Sequence, residues 1–215
     1  TGGITIQSRT WYDPNQETQW NFVPSLMAMI SFTQVMLLAG MSIAKEREQG
    51  TFDQLLVTPL RPSQILIGKA VPPVLVGLFQ ALAIFCIARF WFEIPCFGSL
   101  MAIVATLVFF MVSSTGIGLS ISAISENMQQ VLIYVLVLMI PMALLSGMAT
   151  PVANMPEVLQ LFTYIDPMRF AIDAVRRIYL EGATLVDVHW DFLPMFLIGA
   201  VTMPAAGWLF RHKTT

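Results

Sequence analysis

Charge is what this sequence has least of: 11 Lys and Arg and 13 Asp and Glu make up 11% of its 215 residues, against about 25% in a typical soluble domain. A water-soluble fold cannot cover itself with so few charges. The net charge is −2, and no basic tract or interleaving of aromatic with basic residues occurs, which excludes the electrostatic footprint of a nucleic-acid binder. Cysteine is scarce too, with two residues. Cys86 lies inside an apolar run and Cys96 at its polar exit, so no disulfide framework is indicated and both read as packed thiols. The two histidines, His189 and His212, lack Cys or acidic partners at ligand spacing, and no metal is assigned. A phosphate-binding G-x-x-x-x-G-K-[ST] loop is missing as well. The chain opens on Thr1 without the basic segment and short apolar core of a signal peptide.

What is abundant is apolar length. Hydrophobic residues make up 56%, mean hydropathy is +0.73, and the charges are clustered, leaving uncharged stretches long enough for about 30 Å of hydrocarbon. The fold class is therefore an all-α integral membrane protein. Five spans are expected, at about 23–44, 70–92, 99–124, 129–146 and 192–210, the last carrying Pro194 and Pro204. Arg89 is close enough to the end of the second to reach the interface. Residues 1–22, with Trp11, Tyr12 and Trp20, read as an extracytoplasmic segment descending to an aromatic belt, and 23–215 as the transmembrane domain.

Lys and Arg near span ends set the orientation. If the loop from Lys45 to Lys69 and the C-terminal tail face the cytoplasm, that side holds Lys45, Arg47, Arg61, Lys69, Arg211 and Lys213. This orientation places residue 1 outside, so a further upstream span is expected, giving six in the full protein.

Within the first loop, Phe52, Leu55 and Leu56 fall at i, i+3 and i+4, one apolar stripe on a short helix with Asp53 and Gln54 opposite. Pro59 ends that helix. From pattern alone it is either an interfacial helix lying on lipid or an element that docks into another protein. Further along, Asp166-Pro167 reads as an N-cap followed by proline at the first helical position, opening a helix to about Leu180 with Gly182 as its stop. Arg169 lies in its first turn. Phe170, Ala174 and Arg177 share a face, and Asp173 can pair with Arg176 or Arg177. This helix either closes the outer leaflet or acts as a gate.

Ser114, Gly118 and Ser122 recur every four residues on the third span, the small-xxx-small pattern of closely packed membrane helices, within the chain or against a second copy. Gln34 and Gln80 are the polar side chains deepest in spans. They point to a pathway or to hydrogen bonds between helices. Fourteen Met residues read chiefly as core filler.

Two blocks carry a family resemblance. EREQGTFDQLLVTPLRPSQILIGK, from Glu46 to Lys69, resembles the signature between the second and third spans of type-2 permeases of ATP-binding-cassette (ABC) exporters. SGMATPVANMPEVLQLFTYIDPMRFAIDAVRRIYLEG is similar to that family's outer loop before its last span, and GLSISAISENMQQ agrees more loosely. The resemblance implies a bacterial inner-membrane permease whose first cytoplasmic loop forms a coupling helix seated in a separate ABC ATPase. Carried over by position, the coupling segment comprises Glu46, Arg47, Glu48, Gly50, Thr51, Phe52, Leu55, Thr58 and Pro59. ATP and Mg would be bound by that partner, with no cofactor in this chain and no enzymatic activity of its own. A second permease copy or a sister permease, and membrane lipid, complete the expected partners. An ion-coupled carrier is the competing reading. It normally needs a buried Asp, Glu, His or Lys in a span, and none lies deep in these five. A non-transporting membrane anchor, the third reading, would need no coupling signature.

Overall fold

A computed structural model describes residues 18–51, 62–94, 96–148 and 152–212, without side chains at 18–21, 62, 153 and 211–212. Among them every long element is helical. The order is α1 (Thr18–Glu48), α2 (Pro62–Phe90), α3 (Leu100–Ile124), α4 (Met128–Leu145), a 3₁₀ turn (Val152–Asn154), α5 (Glu157–Phe162), a second 3₁₀ turn (Thr163–Ile165), α6 (Pro167–Glu181) and α7 (His189–His212). Helices satisfy every backbone polar group within one segment, which hydrocarbon demands. Five of them, α1 to α4 and α7, are long and apolar enough to cross a membrane.

Two helices run longer than expected. The charged Lys45–Glu48 stretch belongs to α1, which at about 1.5 Å per residue extends roughly 46 Å and so protrudes from the bilayer. α2 begins at Pro62 and not near Ala70. The physical reason is Lys69, whose ammonium pairs with Glu46 at 2.5 Å and donates to the Ser42 carbonyl at 3.1 Å; a neutralised cation no longer marks the end of a helix.

α3 is the centre of the bundle. More than half of its membrane window is buried, as is half of α1's, whereas less than a quarter of α2, α4 and α7 is, leaving side chains such as Phe79, Val137 and Val201 turned outward. α3 touches α1, α2, α6 and α7. Because lipid is as apolar as the helices, association rests on close approach and on hydrogen bonds between helices. Ser114, Gly118 and Ser122 are all fully or nearly fully buried. A Cβ on Gly118 would sit 2.7 Å from the Ala39 Cβ and 3.0 Å from the Met36 carbonyl oxygen. The Ser122 hydroxyl accepts from two successive α1 amides, Ile43 at 3.0 Å and Ala44 at 3.2 Å. Ser114 instead bonds the Phe110 carbonyl of its own helix.

A second small-residue face on α3, not picked out in the sequence, meets α7. Ser113 donates to the Met195 carbonyl at 2.6 Å and Ser120 to the Thr202 carbonyl at 3.2 Å, and a side chain on Gly116 would collide with Thr202. Spacings of three and four (113, 116, 120) were the available signal. Aromatic pairs complete the core: Phe32 stacks on Phe110 at 5.9 Å, Phe109 on Phe192 at 5.2 Å, and Phe85 meets Tyr179 edge-on at 5.7 Å.

α6 lies across one end of the bundle, against α1, α3 and α7. Its amphipathic pattern has a direct cause: Met168, Ala171, Ile172, Val175 and Ile178 are buried beneath it. Asp166 caps it, accepting from the Met168 amide at 2.9 Å, and Gly182 ends it at φ 69°. Asp173 makes no direct contact with Arg176 or Arg177 among the described residues and acts on both only through its charge. Arg177 instead bonds Asp191 at 3.3 Å and approaches Glu181 at 3.8 Å, because the turn at 184–188 brings the start of α7 beside the end of α6. Arg176 donates to the Ser25 hydroxyl of α1 at 3.1 Å. Arg169 lies over the Tyr164 ring at 4.6 Å and bonds Thr163, a cation–π contact that keeps its charge at the rim.

The Asp166 carboxyl is 2% exposed, and its second oxygen has no partner among the described residues. Burial pushes its pKa from 3.8 to about 7, against the opposing effects of the Met168 amide and Arg169.

Two outcomes follow from these contacts. Gly118→Leu and Gly116→Leu each lose about 1–3 kcal/mol or more through overpacking, seen as lowered melting temperature and monodisperse yield in detergent. Gly68→Leu, where a Cβ meets nothing within 4 Å, stays at wild-type level. For Asp166 the folded state holds its proton more tightly than the unfolded one, so stability falls as pH rises from about 4 to about 7, by at most about 1.4 kcal/mol per unit. Asp166→Asn, an equally good N-cap, flattens that slope in melting curves between pH 4.5 and 7.5; an unchanged slope would contradict the burial of this carboxyl.

Candidate functional site

Two regions gather the residues singled out in the sequence: the end of α1 that carries the charged loop, and a groove between α1 and α4.

At the first, α1 stops in a defined way. The Gly50 amide donates to the Arg47 carbonyl at 3.1 Å and the Thr51 amide to the Glu46 carbonyl at 3.0 Å, with Gly50 at φ 69°. This is a Schellman closure, in which a left-handed residue just beyond the helix satisfies its last carbonyls, and glycine adopts that conformation without a Cβ penalty. Gly50 and Thr51 thus fix the direction in which the chain leaves α1. Phe52, Leu55, Thr58 and Pro59 lie outside the described residues.

The three charged residues before Gly50 turn onto their own chain. Glu46 pairs with Lys69 of α2, whose side chain is only 14% exposed. Arg47 donates from one nitrogen to the Ala123 and Ser125 carbonyls, both at 2.9 Å, at the end of α3. Glu48 accepts from the Met128 amide in the first turn of α4 at 2.9 Å. Each charge meets a helix end of opposite polarity or an opposite charge, the arrangement that the helix dipole favours. Ser125 and Met128 were not singled out in the sequence, and Lys69 entered only as the boundary of the charged loop. Lys69 carried a usable signal, a lone cation at the border between a charged loop and an apolar run.

The turn between α3 and α4 is held by side chains as well. Asn127 caps α4 by accepting from the Gln130 amide at 2.9 Å, and the Gln130 side chain accepts from the Glu126 amide at 2.8 Å. Gln130 therefore closes the turn from both its backbone and its side chain.

The groove has a volume of about 550 Å³ and is lined by Met29, Thr33, Gln34, Leu37, Met41 and Met139, with Ile30 and Leu38 at its margin. Thr33 donates to the Met29 carbonyl at 2.9 Å and lies in direct contact with the Met139 sulfur of α4 at 3.0 Å. Gln34 belongs here; Gln80 does not. It sits on α2, and its buried amide oxygen has no partner among the described residues. The methionines divide accordingly: Met27, Met36, Met111, Met168 and Met195 fill the core, while Met29, Met41 and Met139 present adaptable thioethers to the groove. A larger apolar recess of about 810 Å³ between α2 and α7 is lined by Leu66, Val74, Met203, Pro204 and Trp208 among others and contains none of the candidate site residues.

Residues 3–180 match the family model described as "ABC-2 type transporter". The chain is 47% identical over 206 residues to the probable multidrug ABC transporter permease YbhR of Escherichia coli K12, which covers 95% of this chain and 56% of that protein. It is 28% identical over 201 residues to the probable multidrug ABC transporter permease YbhS of the same organism, covering 93% and 53%. Identity to its inner membrane transport permease YhhJ is 26% over 215 residues, covering 99% and 56%. The chain thus spans about half the length of the curated relatives it matches. With a family model that accounts for most of its residues and a bundle of five membrane-crossing helices, this chain belongs to the ABC-2 type transporter family.

Proposed function

We propose that this chain is the membrane-spanning part of an ATP-driven exporter of the bacterial inner membrane, coupled to a separate ABC ATPase through its first cytoplasmic loop, where Phe52 and Leu55 would dock. The observation that carries the reading is the α1–α4 groove, a largely apolar surface of methionine and aliphatic side chains with Thr33 and Gln34 as its polar groups, set within a bundle whose family is that of ABC-2 permeases. Cargo would pass along it. The relatives named as multidrug permeases point to drug-like or amphiphilic molecules, and flexible methionine surfaces suit varied apolar shapes.

α4 is the least enclosed of the spans beside this groove, since only 17% of its window is buried and its long-range packing is chiefly against α1. A second permease copy or a sister permease would cover this side and make the path two-walled. Closure of two ATPases on the cytoplasmic face would then push the coupling segments and open the path outward. No Asp, Glu, His or Lys stands deep in a span to bind a driving ion, which disfavours an ion-coupled carrier.

Docking rests on Phe52 and Leu55 as apolar anchors. Truncating a buried anchor costs about 2 kcal/mol or more, which is roughly thirtyfold in affinity. Phe52→Ala and Leu55→Ala in the full-length permease are expected to lose co-elution of the ATPase on size exclusion and permease-dependent ATP hydrolysis; full retention of both in both variants would end the docking assignment. Orientation is tested separately, with single cysteines at Gln7 and Gln49 in intact cells. A membrane-impermeant maleimide should label position 7 and spare position 49, and the reverse pattern would invert the topology.

A further inference from the structure

We infer that the last turn of α1 is a three-way clamp, in which Glu46, Arg47 and Glu48 bind the first cytoplasmic loop to α2, α3 and α4 and act inside the permease, away from the ATPase surface. The inference deepens the docking reading, on which its functional consequence rests, because it assigns positioning residues to the same segment.

Successive residues of a helix point about 100° apart, so three in a row sweep roughly 200° and can reach three separate neighbours. Here they do. Glu46 meets the Lys69 ammonium of α2 at 2.5 Å, and that ammonium also donates to the Ser42 carbonyl of α1. Arg47 bridges two carbonyls at the end of α3, and Glu48 takes an amide that the Asn127 cap leaves open at the start of α4. Glu46 and Arg47 are half-buried, whereas Glu48, like the flanking Lys45 and Gln49, is exposed and makes its contact at the surface.

Charge-assisted hydrogen bonds to helix ends hold direction as well as distance. Gly50 and Thr51 continue directly from this turn, so any displacement of residues 52–61 is delivered to three helices together. One of them, α3, is the centre of the bundle, and another, α4, borders the groove. Without the clamp the loop would pull on α1 and α2 alone, through covalent continuity.

The test uses the full-length permease purified with its ATPase and placed in lipid nanodiscs. Nitroxide labels at Gln49 and Glu126, on a Cys86→Ser/Cys96→Ser background, report the shortest distance between the two loops. Wild type should give one narrow distribution, unchanged when ATP is trapped with vanadate. Arg47→Gln and Glu48→Gln should broaden it by about twofold while ATPase co-elution stays within about twofold of wild type, because the lost contacts lie within the permease. Glu46→Lys and Lys69→Glu should each lower permease-dependent ATP hydrolysis by about fivefold or more, and the reversed pair should restore it, a rescue that simple destabilisation does not give.

A narrow distribution in both glutamine variants, or loss of ATPase co-elution on the scale of Phe52→Ala, would overturn the clamp. Failure of the docking reading is distinguishable: Phe52→Ala and Leu55→Ala would then keep the ATPase, while the distance readout still reports on the clamp. Should Arg47→Gln give no folded protein, Glu48→Gln, which alters one exposed contact, carries the distance test alone.

Discussion

The contact on which the rest of the molecule depends is the approach of α3 to α1 on one side and to α7 on the other. In hydrocarbon nothing drives apolar helices together except packing and hydrogen bonding between them, and both grow steeply as the backbones close. Gly118 and Gly116 remove the atoms that would prevent it, and Ser113, Ser120 and Ser122 spend the gained proximity on bonds to the backbone of the neighbouring helix. Everything else is arranged around this three-helix slab. α6 lies over one end of it, α2 and α4 lean on its sides, and the groove runs where α4 meets α1.

Charge in this chain is placed by the same economy of partners. Several of the few ionisable groups among the described residues join one helix to another. Arg177 joins α6 to α7 through Asp191, Arg176 holds α6 to α1 through Ser25, and Glu46, Arg47 and Glu48 gather α2, α3 and α4. Exposed pairs of this kind contribute little to stability; their value is geometric, since a bond to a helix end fixes which ends stand together.

Much of this was legible in the sequence, and for physical reasons. Apolar length reveals a span directly because the bilayer sets one fixed thickness, so all five were placed, and Asp166-Pro167 with Gly182 marked α6 because caps are local chemistry. The misreadings concern partners distant in the chain. The start of α2 was set too late because a lone Lys69 reads as a loop until Glu46 is brought beside it. Asp173 was matched to Arg176 and Arg177 by spacing on one helix, whereas Ser25 and Asp191 from other helices take those cations. Gln80 was grouped with Gln34 by depth alone, and only the packing of α2 separates them. The residues of the coupling signature from Phe52 to Pro59 rest on sequence and family, with the described structure reaching them from both sides.

The Ser122 hydroxyl, seated between the Ile43 and Ala44 amides, has a consequence for how the bundle can move. A side chain inserted into another helix's amide ladder behaves as a pawl in a ratchet. For α1 to slide along α3, both bonds must break at once and Gly118 must climb over Ala39. Shear between these two helices is therefore blocked at low energy, while rotation of the pair as one rigid beam is not. A swing of α4 away from that beam would widen the groove with both bonds intact.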